Sequence, residues 1–247
     1  RAGRNAVRAL LPSLRRDLHV DFVIANAENA AGGTGITPQV GDELLAMGVD
    51  VLTLGNHTWD KREAFEYIGV EPRVLRPLNY PGHPPGRGSG VFMAGGLRVG
   101  VVSVCGRVFS PTHFDCPFRA LDGEVANLTG KCDAIIVDAH GEATSEKQAI
   151  GRYLDGRVAA VVGTHTHVAT CDAAVLPQGT GYITDVGMTG PVDSIIGVKT
   201  ELALERFLTQ MPVRLEPATG PARLSAALIS AEQGLCTGLE LVQRAVV

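Results

Sequence analysis

Apolar residues along this chain fall into short runs, each closed by polar residues, and the spacing within runs changes between two and about four. Ala6, Val7, Leu10, Leu11, Leu14 and Leu18 repeat at helical spacing and predict an amphipathic helix from residue 1 to about 18. Residues 21–25 read as a buried strand leading into Asn26-Ala-Glu28-Asn29, followed by an Ala- and Gly-rich stretch, 30–35, read as a loop at the edge of a site. Thr37 and Pro38 mark the N-cap and first position of a helix reaching about Met47. The next strand, 50–54, runs into Gly55-Asn56-His57-Thr58-Trp59-Asp60, where Asp60 and Glu63 have capping-box spacing for a short helix. Residues 76–90, rich in Pro and Gly, predict a long surface loop. Alternating runs at 90–94 and 97–104 flank Gly95-Gly96 and predict a hairpin, with an irregular stretch beyond it.

Further runs complete the pattern. Residues 134–138 predict a buried strand that delivers His140 and Glu142, and Ser145 with Gln148 fits a capping box for a helix to about Leu154. Residues 158–162 predict a strand that ends at Gly163, with His165 and His167 in the loop beyond. In extended backbone, positions i and i+2 share a side, so both imidazoles would face one point. Residues 182–185 give another strand, 201–208 a short helix, and 213–216, 224–229 and 239–242 closing antiparallel strands.

Four predicted strands therefore end in candidate ligands: Glu28 with Asn29, Asn56 with His57, His140, and His165 with His167. Taken singly, a Glu-Asn pair is a turn or cap, Asn56 a helix initiator and His140 a structural histidine. Recurrence at the C-terminal ends of strands is a different matter, since open α/β sheets place ligands there. One carboxylate with carboxamides and imidazoles suits Zn²⁺, Mn²⁺ or Fe²⁺ better than calcium, which takes oxygen only. His19, His83 and His113 lie outside this set; of the three, the loop of His113 comes nearest to reaching a substrate.

Composition narrows the classes. A chain of 247 residues accommodates one large α/β domain, and no repeat or linker divides residues 1–247. A net charge of −4 argues against general nucleic-acid binding. No run has membrane-span length and no signal-peptide core is found. Five scattered cysteines without C-x-x-C spacing argue against a disulfide framework and for a reducing cytoplasm.

Gly55-Asn56-His57 and Gly163-Thr-His165-Thr-His167 resemble signatures of the calcineurin-like metallophosphoesterases. Longer stretches are similar to the bacterial YmdB-like branch, described as 2′,3′-cyclic-nucleotide phosphodiesterases: Ala25-Asn26-Ala27-Glu28-Asn29-Ala30-Ala31-Gly32-Gly33, Leu54-Gly-Asn-His-Thr-Trp-Asp60, Arg76-Pro-Leu-Asn-Tyr80, Gly106-Arg-Val-Phe109, Glu142-Ala-Thr-Ser-Glu-Lys147 and Thr184-Asp-Val-Gly-Met-Thr-Gly-Pro191. The resemblance implies a four-layer α-β-β-α sandwich, two mixed central sheets flanked by helices. It also implies a dinuclear site for Fe, Mn or Zn hydrolysing phosphodiesters, with a cyclic nucleotide or related RNA end as substrate and a homo-oligomer left open. By matched position Glu28 would bridge the metals, Asn29 and His167 would join one, and Asn56, His140 and His165 the other. His57 would protonate the leaving oxygen after attack by a metal-bridging hydroxide.

The chain departs from the family in one respect. The family opens with a strand ending in Gly-Asp-Val, whose Asp joins Asn29 at its metal; this sequence starts at the loop beyond, so that strand and ligand are expected to be missing from it. A smaller departure is Gly141, where Ala is usual. The missing Asp supports a competing reading, a catalytically impaired regulatory or scaffold protein of the same fold that binds nucleotide or partner without turnover. Metal content per chain separates the two.

Overall fold

The computed structural model describes residues 1–246. In chain order the elements are α1 (Ala2–Asp17), β1 (Ile24–Asn26), α2 (Pro38–Ala46), β2 (Val51–Thr53), α3 (Ala64–Val70), β3 (Val74–Leu75), β4 (Ser89–Ala94), β5 (Leu97–Cys105) and α4 (Pro117–Leu128). There follow β6 (Ala134–His140), α5 (Thr144–Tyr153), β7 (Ala160–Thr164), β8 (Ala174–Val175), β9 (Gly181–Ile183), β10 (Gly190–Pro191), α6 (Thr200–Thr209), β11 (Ala222–Glu232) and β12 (Leu235–Val246). Strands β1, β2 and β3 form a small parallel sheet in that order. The large sheet has the order β4-β5-β6-β7-β9-β8, with a parallel centre and antiparallel strands at both edges. A third, antiparallel sheet, β10-β11-β12, carries the long C-terminal hairpin and packs against α1.

Period-two alternation divides the strand residues between three apolar layers. Val51 and Leu75 of the small sheet face Val99, Val101 and Ile136 of the large one, which makes the core between the sheets. Their neighbour Leu52 points outward onto Val40, Leu44 and Leu45 of α2 and Ile68 of α3. On the far side, Val102, Val104, Val137 and Val161 meet Leu121, Val125 and Leu128 of α4 and Ile150 of α5. Helix, sheet, sheet, helix is the resulting order, as the resemblance implied; the small sheet is purely parallel and the closing hairpin forms a sheet of its own.

Several expectations are corrected. Helix α4 lies in a stretch read as irregular, although Pro117 opens it and Leu121, Val125 and Leu128 sit at i, i+4 and i+7. Residues 213–216 form no strand; the segment is tied by the bonds of Lys199 to Glu216 and by the adjoining bridge between Val198 and Pro217. Neither capping box forms: α3 has Glu63 at its N-cap and α5 has Ala143, and neither makes a side-chain cap bond. Asp60 is used elsewhere, on His57. Strand β7 extends through Gly163 rather than ending there, and a Cβ at that position would lie 1.7 Å from the Thr184 carbonyl oxygen.

The two sheets meet through polar contacts as well as apolar ones. The Asp138 carboxylate of β6 accepts from Thr53 Oγ1 of β2 at 2.6 Å and from Asn26 Nδ2 of β1 at 2.9 Å. The C-terminal ends of β1, β2, β6 and β7 are thereby gathered at one edge, and every candidate ligand is within two residues of one of them or on the loop that follows.

Candidate functional site

Glu28, in the turn after β1, is 2% exposed and lies at the centre of two groups of donors. Its Oε1 is 3.0 Å from His140 Nε2 and 3.2 Å from Asn29 Nδ2. On one side, His140 Nε2 also lies 3.0 Å from Asn56 Oδ1 and 3.0 Å from His165 Nδ1. On the other, Asn29 Nδ2 is 3.1 Å from His167 Nε2. Glu28, His140 and His165 offer ligand atoms all within 4.8 Å of one another. Six of the seven residues singled out in the sequence thus converge, and the seventh, His57, stands at the rim.

His165 and His167 reach their partners by a route other than the extended backbone expected. Their φ angles are +105° and +67°, a left-handed region that costs a non-glycine residue energy and persists only when its surroundings impose it. The constraint comes from Asp185, 1% exposed, whose carboxylate accepts from Thr166 N at 2.9 Å, Gly187 N at 2.8 Å and Lys147 Nζ at 3.0 Å. Lys147, equally buried, also donates to the Thr164 carbonyl at 3.1 Å. His167 Nδ1 is fixed by the Ile196 carbonyl at 2.9 Å and His165 Nε2 by Glu142 at 3.0 Å.

The tautomer of His140 follows from its partners. Thr164 Oγ1 has one hydrogen, and it donates to Asp138 at 2.6 Å. It therefore accepts from His140 Nδ1 at 2.9 Å, so that nitrogen carries a proton and Nε2 faces Glu28. Burial opposes ionisation of Glu28, but His140's charge and hydrogen bond, with help from the His57 N–H, outweigh it and draw the carboxyl down to about 2. Burial likewise disfavours imidazolium at His140, and Glu28 overcomes it, so the His140 pKa is raised. For His165 burial and the neighbouring His140 prevail, and its pKa is lowered.

These residues fit a cation. His140 Nε2 has three heteroatoms at 3.0 Å and at most one proton to share among them. The buried Asn29 Oδ1 has no hydrogen-bond partner, an arrangement that is costly unless a positive charge meets it. A Cβ on Gly55 would come within 2.2 Å of Glu28 Oε2 and 2.3 Å of His140 Nε2, so only glycine leaves the cradle open.

His57 donates its backbone N–H to Glu28 Oε2 at 3.3 Å, while its half-buried imidazole pairs with Asp60 at 2.9 Å through Nδ1. The backbone from Gly55 to Asp60 is a run of turns, closed by Thr58 N to the Gly55 carbonyl and Asp60 N to the His57 carbonyl. Sequence reading gave Asp60 to a helix cap; the i, i+3 spacing to His57 was the available signal. It passed over Asp138, Lys147, Thr164 and Asp185 altogether. His19, His83 and His113 are exposed and outside the cluster.

Known proteins resemble this chain in sequence and in fold. The chain is 46% identical over 227 residues to a 2′,3′-cyclic-nucleotide 2′-phosphodiesterase of Bacillus subtilis (strain 168), covering 92% of this chain and 86% of that protein. A solved structure of a hypothetical protein from Thermus thermophilus superposes with a TM-score of 0.93 at 45% identity, covering 99% of this chain and 94% of that one. A novel phosphatase from Mycoplasma pneumoniae superposes with a TM-score of 0.92 at 32% identity, covering 99% and 89% respectively. The family described as YmdB-like protein matches residues 1–242, and the chain belongs to it.

Proposed function

We propose that this hydrolase, a phosphoesterase of the YmdB-like family, cleaves phosphodiesters of the 2′,3′-cyclic-nucleotide class with two divalent metal ions and His57 as general acid. The observation that carries the reading is the pair of donor groups sharing Glu28: Asn56, His140 and His165 on one side, Asn29 and His167 on the other. Each group would hold one ion and Glu28 both. The mixture of imidazole, carboxamide and carboxylate suits Zn, Mn or Fe. When bound, such a pair supplies Lewis acidity that activates water and offsets phosphoryl charge.

The chain's own residues do the rest. Water forms a bond to phosphorus and releases a proton to solvent as the bond from phosphorus to the ribose 2′-oxygen breaks, and that oxygen leaves needing a proton. Asp60 accepts from Nδ1–H of His57 and fixes the ring, so the proton on Nε2 is the one transferred. The imidazole is left neutral with Nδ1–H still on Asp60. Glu142 keeps His165, and Thr164 keeps His140, in the orientation that points a ring nitrogen inward. The partner is a small molecule, and no helix among the described residues is long and apolar enough to cross a membrane. A cytoplasmic setting, where all five cysteines stay free, is part of the same proposal.

Elemental analysis of the purified protein alongside turnover of adenosine 2′,3′-cyclic phosphate tests it. Two ions per chain and hydrolysis are expected, and Glu28→Gln should lose both ions together with activity. Release of one ion with the other at full occupancy refutes a bridging Glu28. Metal without turnover in the unaltered protein returns the chain to the non-catalytic reading.

A further inference from the structure

Residues 106–116 leave β5 at the same edge as the ligands and form a strap anchored at two places beside them. At its start Gly106 N donates to the carbonyl oxygen of His140 at 2.8 Å. At its end the Phe114 ring packs edge-on against Tyr80 at 4.7 Å, and Tyr80 Oη donates to the carbonyl oxygen of Asn56 at 3.5 Å. Asp115 N closes the far end on the Asn79 carbonyl at 2.8 Å. The strap therefore runs from one donor of the site to another. Between the anchors, Ser110 N bonds the Arg107 carbonyl at 3.2 Å and closes a turn with Phe109 near its tip. The buried Glu146 carboxylate fixes that turn, accepting from Arg107 N and Val108 N at 2.9–3.0 Å.

Phe109 itself is unusual. Its φ is +61°, a conformation bulky residues avoid, and the residue is 83% exposed, so burial of the ring does not offset the strain. The Arg107 guanidinium beside it forms no salt bridge among the described residues. A solvent-facing ring on a turn whose backbone is tied to Glu146 and, through Gly106, to His140 offers what a nucleobase needs: a flat apolar face that tolerates any base.

We infer that Phe109 is the stacking platform for the base of the nucleotide, positioned by Glu146. This rests on the proposed nucleotide substrate. Calorimetric titration of the metal-loaded protein with adenosine 3′-monophosphate, and separately with inorganic phosphate, tests it. Phe109→Ala should weaken the nucleotide about five- to a hundredfold, the range of a single base–aromatic stack, while phosphate affinity and metal content stay as in the unaltered protein. Phe109→Trp should restore nucleotide affinity. Unchanged nucleotide binding in Phe109→Ala, or equal loss for nucleotide and phosphate, overturns the platform. So does a change of particle size by light scattering with nucleotide binding unchanged, which would put the ring between copies of the chain. Failure of the enzyme reading is seen separately: the unaltered protein then shows the nucleotide-over-phosphate preference without turnover.

Discussion

His57 and Asn56 are adjacent yet do different things because the backbone between Gly55 and Asp60 turns rather than extends. Asn56 Oδ1 points at His140, and the His57 ring swings to Asp60. The metal-holding and proton-transfer roles proposed for the two residues are thereby separable by substitution. His57→Ala should keep full metal occupancy and lose about 10²–10⁴-fold in kcat on a diester with a poor leaving group. With bis-p-nitrophenyl phosphate, whose leaving group needs no proton, the loss should shrink. Comparing kcat for the two substrates at known metal content checks this, and an equal defect for both sinks the general-acid role. Asp60→Asn should fall between, since it keeps a partner for the ring but weakens the hydrogen bond that orients it.

At the scale of elements, the loop after β7 presents two donors from strained backbone, and the buried Lys147–Asp185 pair between α5 and the 184–191 segment holds it there. Lys147→Met leaves a buried carboxylate without its cation and should cost about 3–5 kcal/mol by chemical denaturation. Adding Asp185→Asn removes that charge and should recover most of the stability. Metal affinity should stay low in both variants, because the anchor on Thr166 is weakened in each; restoration of affinity along with stability would make the pair structural only. Such a clamp was illegible in the sequence for a plain reason: its partners are 38 residues apart, and Asn26 and Asp138 are 112 apart, so no spacing records either contact. What could be read were features that repeat locally. The β-branched runs at 50–54 and 134–138, the Gly-Gly hairpin and the polar residue after each strand announced the sheets and the ligands. Helix α4 escaped because its apolar stripe is narrow and its flanks look like loop, and Asp60 because its carboxylate turns back to His57 instead of capping the helix after it.

For the molecule as a whole, Glu28 and His140 join the two sheets as an ion pair when metal is stripped by a chelator. The Glu28 pKa is depressed from 4.5 to about 2, so its contribution is present above about 4.5 and is lost as pH falls through about 2. The His140 pKa is raised above 6.5, so its contribution is complete below 6.5 and fades as pH rises through the raised value. The chelated protein should therefore be most stabilised by this pair between about 4.5 and 6.5, with Tm declining above that window. Scanning calorimetry from pH 6 to about 9 checks it: Glu28→Gln should flatten the decline, and metal-loaded protein, its histidines already unprotonated, should not show it. A Tm indifferent to pH in the chelated protein would refute the coupling. The same straddling of the sheets dictates when in the protein's life metal can enter. Asn29 and His167 are separated by 138 positions, and the small sheet is synthesised well before β6 and β7 emerge from the ribosome. Until then its inner face, with Val51 and Leu75, has no cover and is a natural client for a chaperone. On the proposed two-metal reading, metal acquisition would be a late maturation step that follows a fold already assembled by its apolar layers, and cells starved of metal should accumulate folded, inactive protein rather than lose it.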